Sequence, residues 1–221
     1  MDNLYCYIWQ GMGNNCNTYL IAGEVPTLID PGHVINEFRE PCLEQLLSSM
    51  REDGFEAEDI TLVINTHVHP DHSQANRSII AASGAKLAFH KEGQELMRRM
   101  QERTVAGPEG FQADFYLDEG DLTLGKDAKI KLQVFHTPGH SPDSLCIYWP
   151  EEKALITGDL IFALSVGRTD IGGGSFPLLT QSIERMAELD IEYLLPGHMG
   201  ILQGKVRVER NFLYIRSIFL P

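Results

Sequence analysis

The chain has 221 residues with 31 acidic and 18 basic side chains, and its net charge is −13. Such an acidic surface repels phosphate backbones and anionic lipid, which argues against nucleic acid or a membrane surface as the partner. A hydrophobic content of 43% excludes intrinsic disorder, and the length favours a single domain over residues 1–221.

Short apolar runs between turn residues predict three strands near the start of the chain. These are Leu4–Trp9, Thr18–Ala22 and Thr27–Asp30. Apolar side chains at helical spacing predict a helix from about Val34 to Asp53, with a kink or a restart at Pro41. The compact apolar segment Ile60–Asn65 then predicts a buried strand.

Helices and strands continue to alternate in the rest of the chain. The predicted helices are Gln74–Ser83, Lys91–Arg103, Pro177–Leu189 and Gly204–Phe219. The predicted strands are Lys86–His90, Ile130–His136, Ser144–Trp149, Lys153–Thr157 and Glu192–Leu195. Because the strands are too closely spaced for purely βαβ units, we expect two sheets covered by helices. In the last helix, Phe212, Ile215 and Phe219 share one face, which we expect to pack on the core rather than on a second subunit.

The cysteines and the start of the chain bear on the cellular compartment. Cys6, Cys16, Cys42 and Cys146 lack Cys-x-x-Cys spacing, so we expect buried free thiols in a reducing compartment. The first residues show no cationic and apolar leader, and the longest apolar run, Leu160–Leu164, is far shorter than a membrane span of about 20 residues. We therefore expect a cytoplasmic protein with no membrane partner.

A cluster of metal-binding residue types follows the predicted strand Ile60–Asn65. The segment Thr66–His72 contains four nitrogen and oxygen donors of the kind that zinc and similar divalent ions prefer: His67, His69, Asp71 and His72. Three further donors each follow a predicted strand and stand beside a glycine: His140, Asp159 and His198. Glycine lets the backbone approach closely, so these side chains can converge at a sheet edge.

The order of these motifs resembles the metallo-β-lactamase superfamily. The pattern is His-x-His-x-Asp-His, then Pro-Gly-His, Gly-Asp and Pro-Gly-His, and it extends from about Thr18 to Met199. The resemblance implies an α/β fold, a four-layer αβ/βα sandwich with the metal site at one edge of its two sheets. The ligands it implies are His67, His69 and His140 for a first metal, Asp71, His72 and His198 for a second, and Asp159 as the bridge. We expect two divalent ions, zinc first, with iron or manganese also compatible.

Within the superfamily, the chain resembles glyoxalase II and its relatives. Three segments carry this resemblance: Thr137–Ser144, Gly158–Phe162 and Gly167–Asp170. The best-known zinc β-lactamases have cysteine in place of Asp159 and flavodiiron oxygen reductases have glutamate in place of His69, so both activities are disfavoured. Only 23 residues follow His198, and Met-Gly stands where Glu-Tyr-Thr is usual. The helical glutathione-binding domain of glyoxalase II is therefore not expected, which argues against a glutathione thioester as the substrate.

The resemblance implies a dinuclear metal-dependent hydrolase, in which a metal-bridging hydroxide attacks a small thioester, ester or lactone. Asp71 is expected to orient this hydroxide and to take its proton. Asp30 is expected to orient the histidine cluster from behind the ligands, although a turn-forming role stays open. Arg168 is expected to bind a carboxylate or phosphate of the substrate, although a surface salt bridge explains it equally well.

Two other hypotheses stay open. The first is a mononuclear iron oxygenase like the persulfide dioxygenases, which share a Gly-Arg-Thr-Asp loop; its facial triad here would be His67, His140 and Asp159. The second is a non-catalytic or RNA-processing member of the superfamily, which the net charge of −13 and the lack of a basic arm disfavour. In each enzymatic case the expected partner is a small molecule, and a homo-oligomer stays open.

Overall fold

Two six-stranded sheets form the centre of the computed structural model, which describes residues 3–102, 110–127 and 129–220. The strands of the first sheet, in spatial order, are β1 (Leu4–Tyr7), β2 (Thr18–Ile21), β3 (Thr27–Ile29), β4 (Leu62–Ile64), β5 (Lys86–Phe89) and β6 (Phe115–Tyr116). Those of the second are β7 (Gly120–Leu124), β8 (Ile130–His136), β9 (Leu145–Trp149), β10 (Ala154–Gly158), β13 (Tyr193–Pro196) and β14 (Leu202–Gln203). Between β10 and β13 the chain forms a hairpin of β11 (Ile161–Phe162) and β12 (Ser165–Val166).

The described helices are α1 (Cys42–Glu52), α2 (Pro70–Ser73), α3 (Asn76–Ser83), α4 (Lys91–Glu102), α5 (Phe176–Met186) and α6 (Lys205–Phe219), with a 3-10 turn at Ala57–Asp59. The prediction of a helix from Val34 was wrong at its start, because α1 begins only at Cys42. Asn36 Oδ1 accepts the backbone N–H of Glu40 at 3.0 Å, and this local bond competes with helix formation. Pro41 then precedes the first helical residue, which is the restart that the sequence allowed.

Several short strands were not predicted. Four of them, β6, β11, β12 and β14, have two residues each, which is too few for an alternation of apolar and polar residues to be recognised. The fifth, β7, is mostly exposed and forms through its antiparallel pairing with the longer β8. The predicted helix Lys91–Arg103 corresponds to α4, and Arg103 itself lies outside the described residues.

Alternation along the strands divides the core into layers. In β3 and β4, Ile29 and Ile64 point to the core between the sheets, whereas Leu28 and Val63 pack under α1, α3 and α4. The outer face of the second sheet is covered by α5 and α6. The order helix, sheet, sheet, helix confirms the four-layer αβ/βα sandwich.

The last helix packs as the sequence predicted. Phe212 and Ile215 are buried in the core cluster under the second sheet, and Phe219 packs against it half-buried. Because α6 has this apolar face on the core, no second subunit is needed to cover those side chains.

The structure bears on two sequence predictions, that the cysteines are free and buried and that no segment spans a membrane. All four cysteines are free, with Cys16, Cys42 and Cys146 buried and Cys6 partly buried, as predicted. None of the described helices combines the length and the apolarity that crossing a bilayer requires.

Backbone hydrogen bonds join the two sheets at one edge. Leu145 N donates to Thr66 O at 2.8 Å, and Asn17 N donates to Gly197 O at 2.6 Å. These bonds connect loops from both halves of the chain. A third bond, from Gly197 N to Gly158 O at 2.8 Å, adds the end of β10, so the segments after β4, β8, β10 and β13 meet at this edge.

Candidate metal centre

All seven predicted metal ligands lie together at the edge where the two sheets are joined. Their donor atoms fall into three overlapping groups, and within each group the atoms lie within 4.8 Å of one another. The groups are His67 with His69 and His140, His67 with His72 and Asp159, and Asp71 with His72 and His198.

The local backbone explains how the first four donors face one cleft. His67 and His69 belong to an extended segment after β4, and His69 is the residue before α2 with φ −61° and ψ 147°. Pro70 occupies the first helical position, where its missing N–H costs no hydrogen bond. Asp71 and His72 follow within the first turn, so extended and helical backbone bring the four side chains together, and those of His69 and Asp71 line the cleft.

Unpaired polar atoms show that the donor set fits a metal ion. His67 Nε2, His72 Nε2 and Asp159 Oδ1 are buried and make no hydrogen bond among the described residues. The last two lie 3.2 Å apart as an ion pair, whereas His67 Nε2 lacks even that kind of partner. Leaving such an atom unpaired inside a protein costs about 1–3 kcal/mol. A divalent cation among these nitrogens and oxygens would satisfy them, and the donor types are those that zinc, iron and manganese accept.

Asp30 supports the histidines from behind. Its carboxylate is buried and accepts hydrogen bonds from Thr66 N at 2.8 Å, Thr66 Oγ1 at 2.6 Å and His72 Nδ1 at 2.9 Å. The bond from His72 Nδ1 leaves Nε2 of the same ring directed at the donor cluster. Asp30 itself has a φ of +54°, a strained conformation for a residue other than glycine.

His140 has an outer partner of a different kind. Its Nδ1–H donates to the backbone oxygen of Arg168 at 2.7 Å, which directs Nε2 into the donor cluster, where it lies 2.9 Å from His69 Nδ1. The guanidinium of Arg168 pairs with Asp170 through two hydrogen bonds of 2.9 and 2.8 Å at the exposed rim of the cleft. Arg168 therefore supports His140 through its carbonyl, and contact of its guanidinium with a substrate stays a prediction.

The first donor group favours neutral imidazoles. Burial, followed by the charge of His140, lowers the pKa of His69 to about 4. Burial and the charges of His72 and His69 lower the pKa of His67 well below its ordinary value. Neutral imidazole is the form that binds a metal ion.

The two aspartates among the donors are ionised. Burial opposes ionisation of Asp159, but the charges of His72 and His198 outweigh it and hold its pKa well below the usual range. Burial likewise opposes ionisation of Asp71, whose hydrogen bond with His198 and proximity to His72 lower its pKa. Both carboxylates are thus in the form that coordinates metals.

Sequence reasoning missed three residues that shape the site. Asn14 Nδ2 donates to Asp71 Oδ2 at 2.8 Å, although 57 positions separate the two residues. Asn17 Nδ2 donates to the backbone oxygens of Pro196 and Met199 on either side of His198, at 2.9 and 2.8 Å. The third is the buried Asp143. The asparagine-rich run between β1 and β2 was the available signal, but its composition alone indicates only a turn.

A cleft of about 440 Å³ lies over the donors. Besides donor side chains, its lining contains Asn14, Pro70, Met100, Phe162, Arg168 and Ile171. This volume is in the range of small-molecule sites.

Comparisons with known proteins agree with this geometry. The model of the metallo-β-lactamase superfamily matches residues 11–198. A probable metallo-hydrolase of Methanocaldococcus jannaschii is 34% identical over 214 residues, covering 93% of this chain and 96% of the relative. A hydroxyacylglutathione hydrolase of Polaromonas sp. is 33% identical over 199 residues, or 86% of this chain, and the match spans 65% of that longer relative.

Solved structures share the fold along nearly the whole chain. The crystal structure of TTHA1623 in a di-iron-bound form has a TM-score of 0.71 and 28% identity, covering 93% of this chain and 98% of that one. The B3 metallo-β-lactamase BLEG-1 has a TM-score of 0.74, covering 97% and 96% of the two chains, but its identity of 23% bears on the fold alone. The same holds for ETHE1 from Myxococcus xanthus, with a TM-score of 0.67, 23% identity, and 99% and 92% of the chains covered.

Proposed function

The chain belongs to the metallo-β-lactamase superfamily, and we propose that it is a dinuclear metal-dependent hydrolase acting on a small thioester, ester or lactone. The observation that carries this proposal is the convergence of two histidine groups around one buried carboxylate, Asp159. A site for one metal would need about half of these donors. We propose two divalent ions, zinc first, with iron or manganese as the other ions that suit the donors.

The names of relatives support a thioester as the first substrate class to test. Hydroxyacylglutathione hydrolases, such as that of Polaromonas sp., are similar to this chain over most of its length. The chain spans about 65% of that relative, so the glutathione part of the name does not transfer with the match.

The side chains of this protein have defined parts in the proposed reaction. Two bound divalent ions would acidify a water molecule and polarise the carbonyl group of the substrate. His67, His69 and His140 would hold one ion and His72 and His198, with Asp71, the other. Asp71 also lines the cleft, which supports the proposal that its carboxylate orients the attacking water and takes its proton.

Residues at the cleft rim would position the substrate. Asn14 donates to Asp71 Oδ2 and thereby holds this carboxylate in one orientation. Phe162 and Ile171 provide apolar walls for the acyl part of a small molecule. The mononuclear iron dioxygenase remains the competing function. It would leave four of the seven donors without a part in metal binding: His69, Asp71, His72 and His198.

Elemental analysis combined with turnover tests the proposal. Protein loaded in turn with zinc, iron and manganese is expected to hold two ions per chain and to hydrolyse members of a thioester, ester and lactone panel, with loss of activity after chelation. One iron per chain together with oxygen consumption on a persulfide would establish the dioxygenase instead. Protein that binds no metal would refute both.

A pair of histidine variants tests whether one of the two metal ions binds at the proposed second site. His198→Ala is expected to lower the metal content from two ions to one, because it removes a ligand of only one donor group. His33→Ala is the matched control, since His33 contacts Gln74 and lies outside all three groups. Two ions retained in both variants would argue against the proposed second site.

A further inference from the structure

A second cavity of about 280 Å³ adjoins the cleft over the candidate metal centre. Pro70 and Met100, both half-buried, line the two cavities and form a shared wall between them. The remaining apolar lining consists of Val68, Met97 and Phe111. Val68 stands between His67 and His69 in the chain, so this cavity begins directly behind the first donor group.

Three polar side chains border the second cavity, Ser73, Gln74 and Arg77, and each already interacts within the protein. Ser73 Oγ donates to the backbone oxygen of Val68 at 3.1 Å and to that of His69 at 3.0 Å. Gln74 Oε1 accepts the backbone N–H of Val34 at 2.9 Å. A polar ligand would lose its hydrogen bonds to water there without gaining these groups as partners. An apolar ligand has no such hydrogen bonds to lose.

We propose that the second cavity receives an unbranched apolar acyl chain of the substrate while its reacting carbonyl lies in the metal cleft. This inference rests on the proposed hydrolase function and defines its substrate class. The chain would run past Met100, whose flexible unbranched side chain can move aside to widen the passage. At the rim of the cleft the guanidinium of Arg168 already pairs with Asp170, which favours an uncharged acyl group over an anionic one.

The reaction of such a substrate is a simple hydrolysis. The oxygen of water forms a bond to the acyl carbon, and the C–S bond of the thioester breaks. One proton of the water passes to the leaving thiolate and the other is released to solvent from the carboxylic acid, so the products are a fatty carboxylate, a thiol and a proton. Neither an oxidant nor a further reactant takes part.

A series of acyl chain lengths on one leaving group tests the inference. The substrates are N-acetylcysteamine thioesters from acetyl to octanoyl, all uncharged and identical outside the acyl chain. We expect kcat/KM to rise about fourfold per methylene until the cavity is filled, the factor that corresponds to ~0.8 kcal/mol for each buried methylene. Turnover that does not depend on chain length would overturn the acyl-chain assignment and leave the hydrolase intact.

Variants of the cavity walls test where the chain binds. Met100→Trp narrows the passage between the two cavities, and Phe111→Trp fills the second cavity from another side. Either variant suffices for the test if the other fails to fold. Each is expected to lower the ratio of octanoyl to acetyl kcat/KM about tenfold or more. Met12→Trp is the matched control, because Met12 is 86% exposed and lines neither cavity. A ratio equal to that of the wild type in both cavity variants would contradict the assignment.

A binding measurement separates this inference from the hydrolase proposal. Octanoate is expected to raise the thermal unfolding midpoint of the wild type and of Met12→Trp more than acetate does, and to lose this advantage in the cavity variants. This result requires no turnover, so it stands even if every thioester is inert and the proposed function fails. Equal shifts with octanoate and acetate in the wild type would refute the acyl site.

Discussion

The carboxylate of Asp143 accepts the backbone N–H of Val68 at 2.9 Å and so joins the loop after β8 to the segment that carries His67 and His69. Asp143 is fully buried, and Ser141 Oγ donates to its other oxygen. One carboxyl group thus contacts the backbone between His67 and His69 and the side chain of the residue after His140. Its burial has a consequence for the pH dependence of stability.

Asp143→Asn is expected to change how stability depends on pH. Burial raises the pKa of Asp143 to about 6, so between pH 4 and pH 6 the folded protein holds a proton that the unfolded chain has lost. The contribution of Asp143 to the free energy of unfolding therefore falls as pH rises through that window and is constant above it. Relative to the wild type, the asparagine variant should gain about 3 kcal/mol of unfolding free energy from pH 4 to pH 7. Denaturant unfolding at both pH values measures the difference, and a pH-independent difference would contradict the assignment.

Gly197→Ala is expected to weaken metal binding at least about tenfold. A Cβ atom at this position would lie 2.8 Å from His72 Cε1 and closer still to Asp159 Oδ1, so both side chains would have to shift. Gly200→Ala is the control, because a Cβ there meets nothing within 4 Å. Competition with a chelator measures both affinities. Equal affinities in the two variants would show that the close approach at Gly197 does not matter for the metal.

Asp30→Asn is expected to lower metal affinity about 10- to 100-fold, the usual effect of losing an outer partner of a ligand. The amide replaces one acceptor oxygen by a donor, so it cannot accept from both Thr66 and His72 as the carboxylate does. Asp121→Asn, which changes an exposed carboxylate on β7, controls for the lost charge. Chelator competition together with far-UV circular dichroism separates weakened binding from unfolding. Retained affinity in Asp30→Asn would rule out the orienting role.

Asn14→Ala is expected to lower kcat about tenfold with little change in stability. Its side chain is exposed, so its removal creates no cavity, but Asp71 loses the hydrogen bond at Oδ2. A purely structural residue would change the unfolding midpoint and leave kcat intact. Steady-state kinetics and thermal unfolding of Asn14→Ala beside Met12→Ala, on the same loop, distinguish the two roles.

The candidate donors could be named from the sequence because metal chemistry limits the residue types. Histidine and aspartate at strand ends, as at His140 and Asp159, are visible without any knowledge of distance. The strands β3 and β4 were also predictable, since their apolar composition is a local property of a few residues. The layered sandwich followed from the order of such elements.

Only the tertiary structure decided which distant residues touch. The bond from Asn14 to Asp71 and that from Asp143 to Val68 join positions 57 and 75 residues apart. Likewise, the cavity behind Met100 is formed by side chains from several elements. Composition and periodicity report on neighbours in the chain, whereas these contacts depend on how loops close over a packed core. For that reason the candidate donors could be named from the sequence, whereas the residues that support them and the shape of the cleft could not.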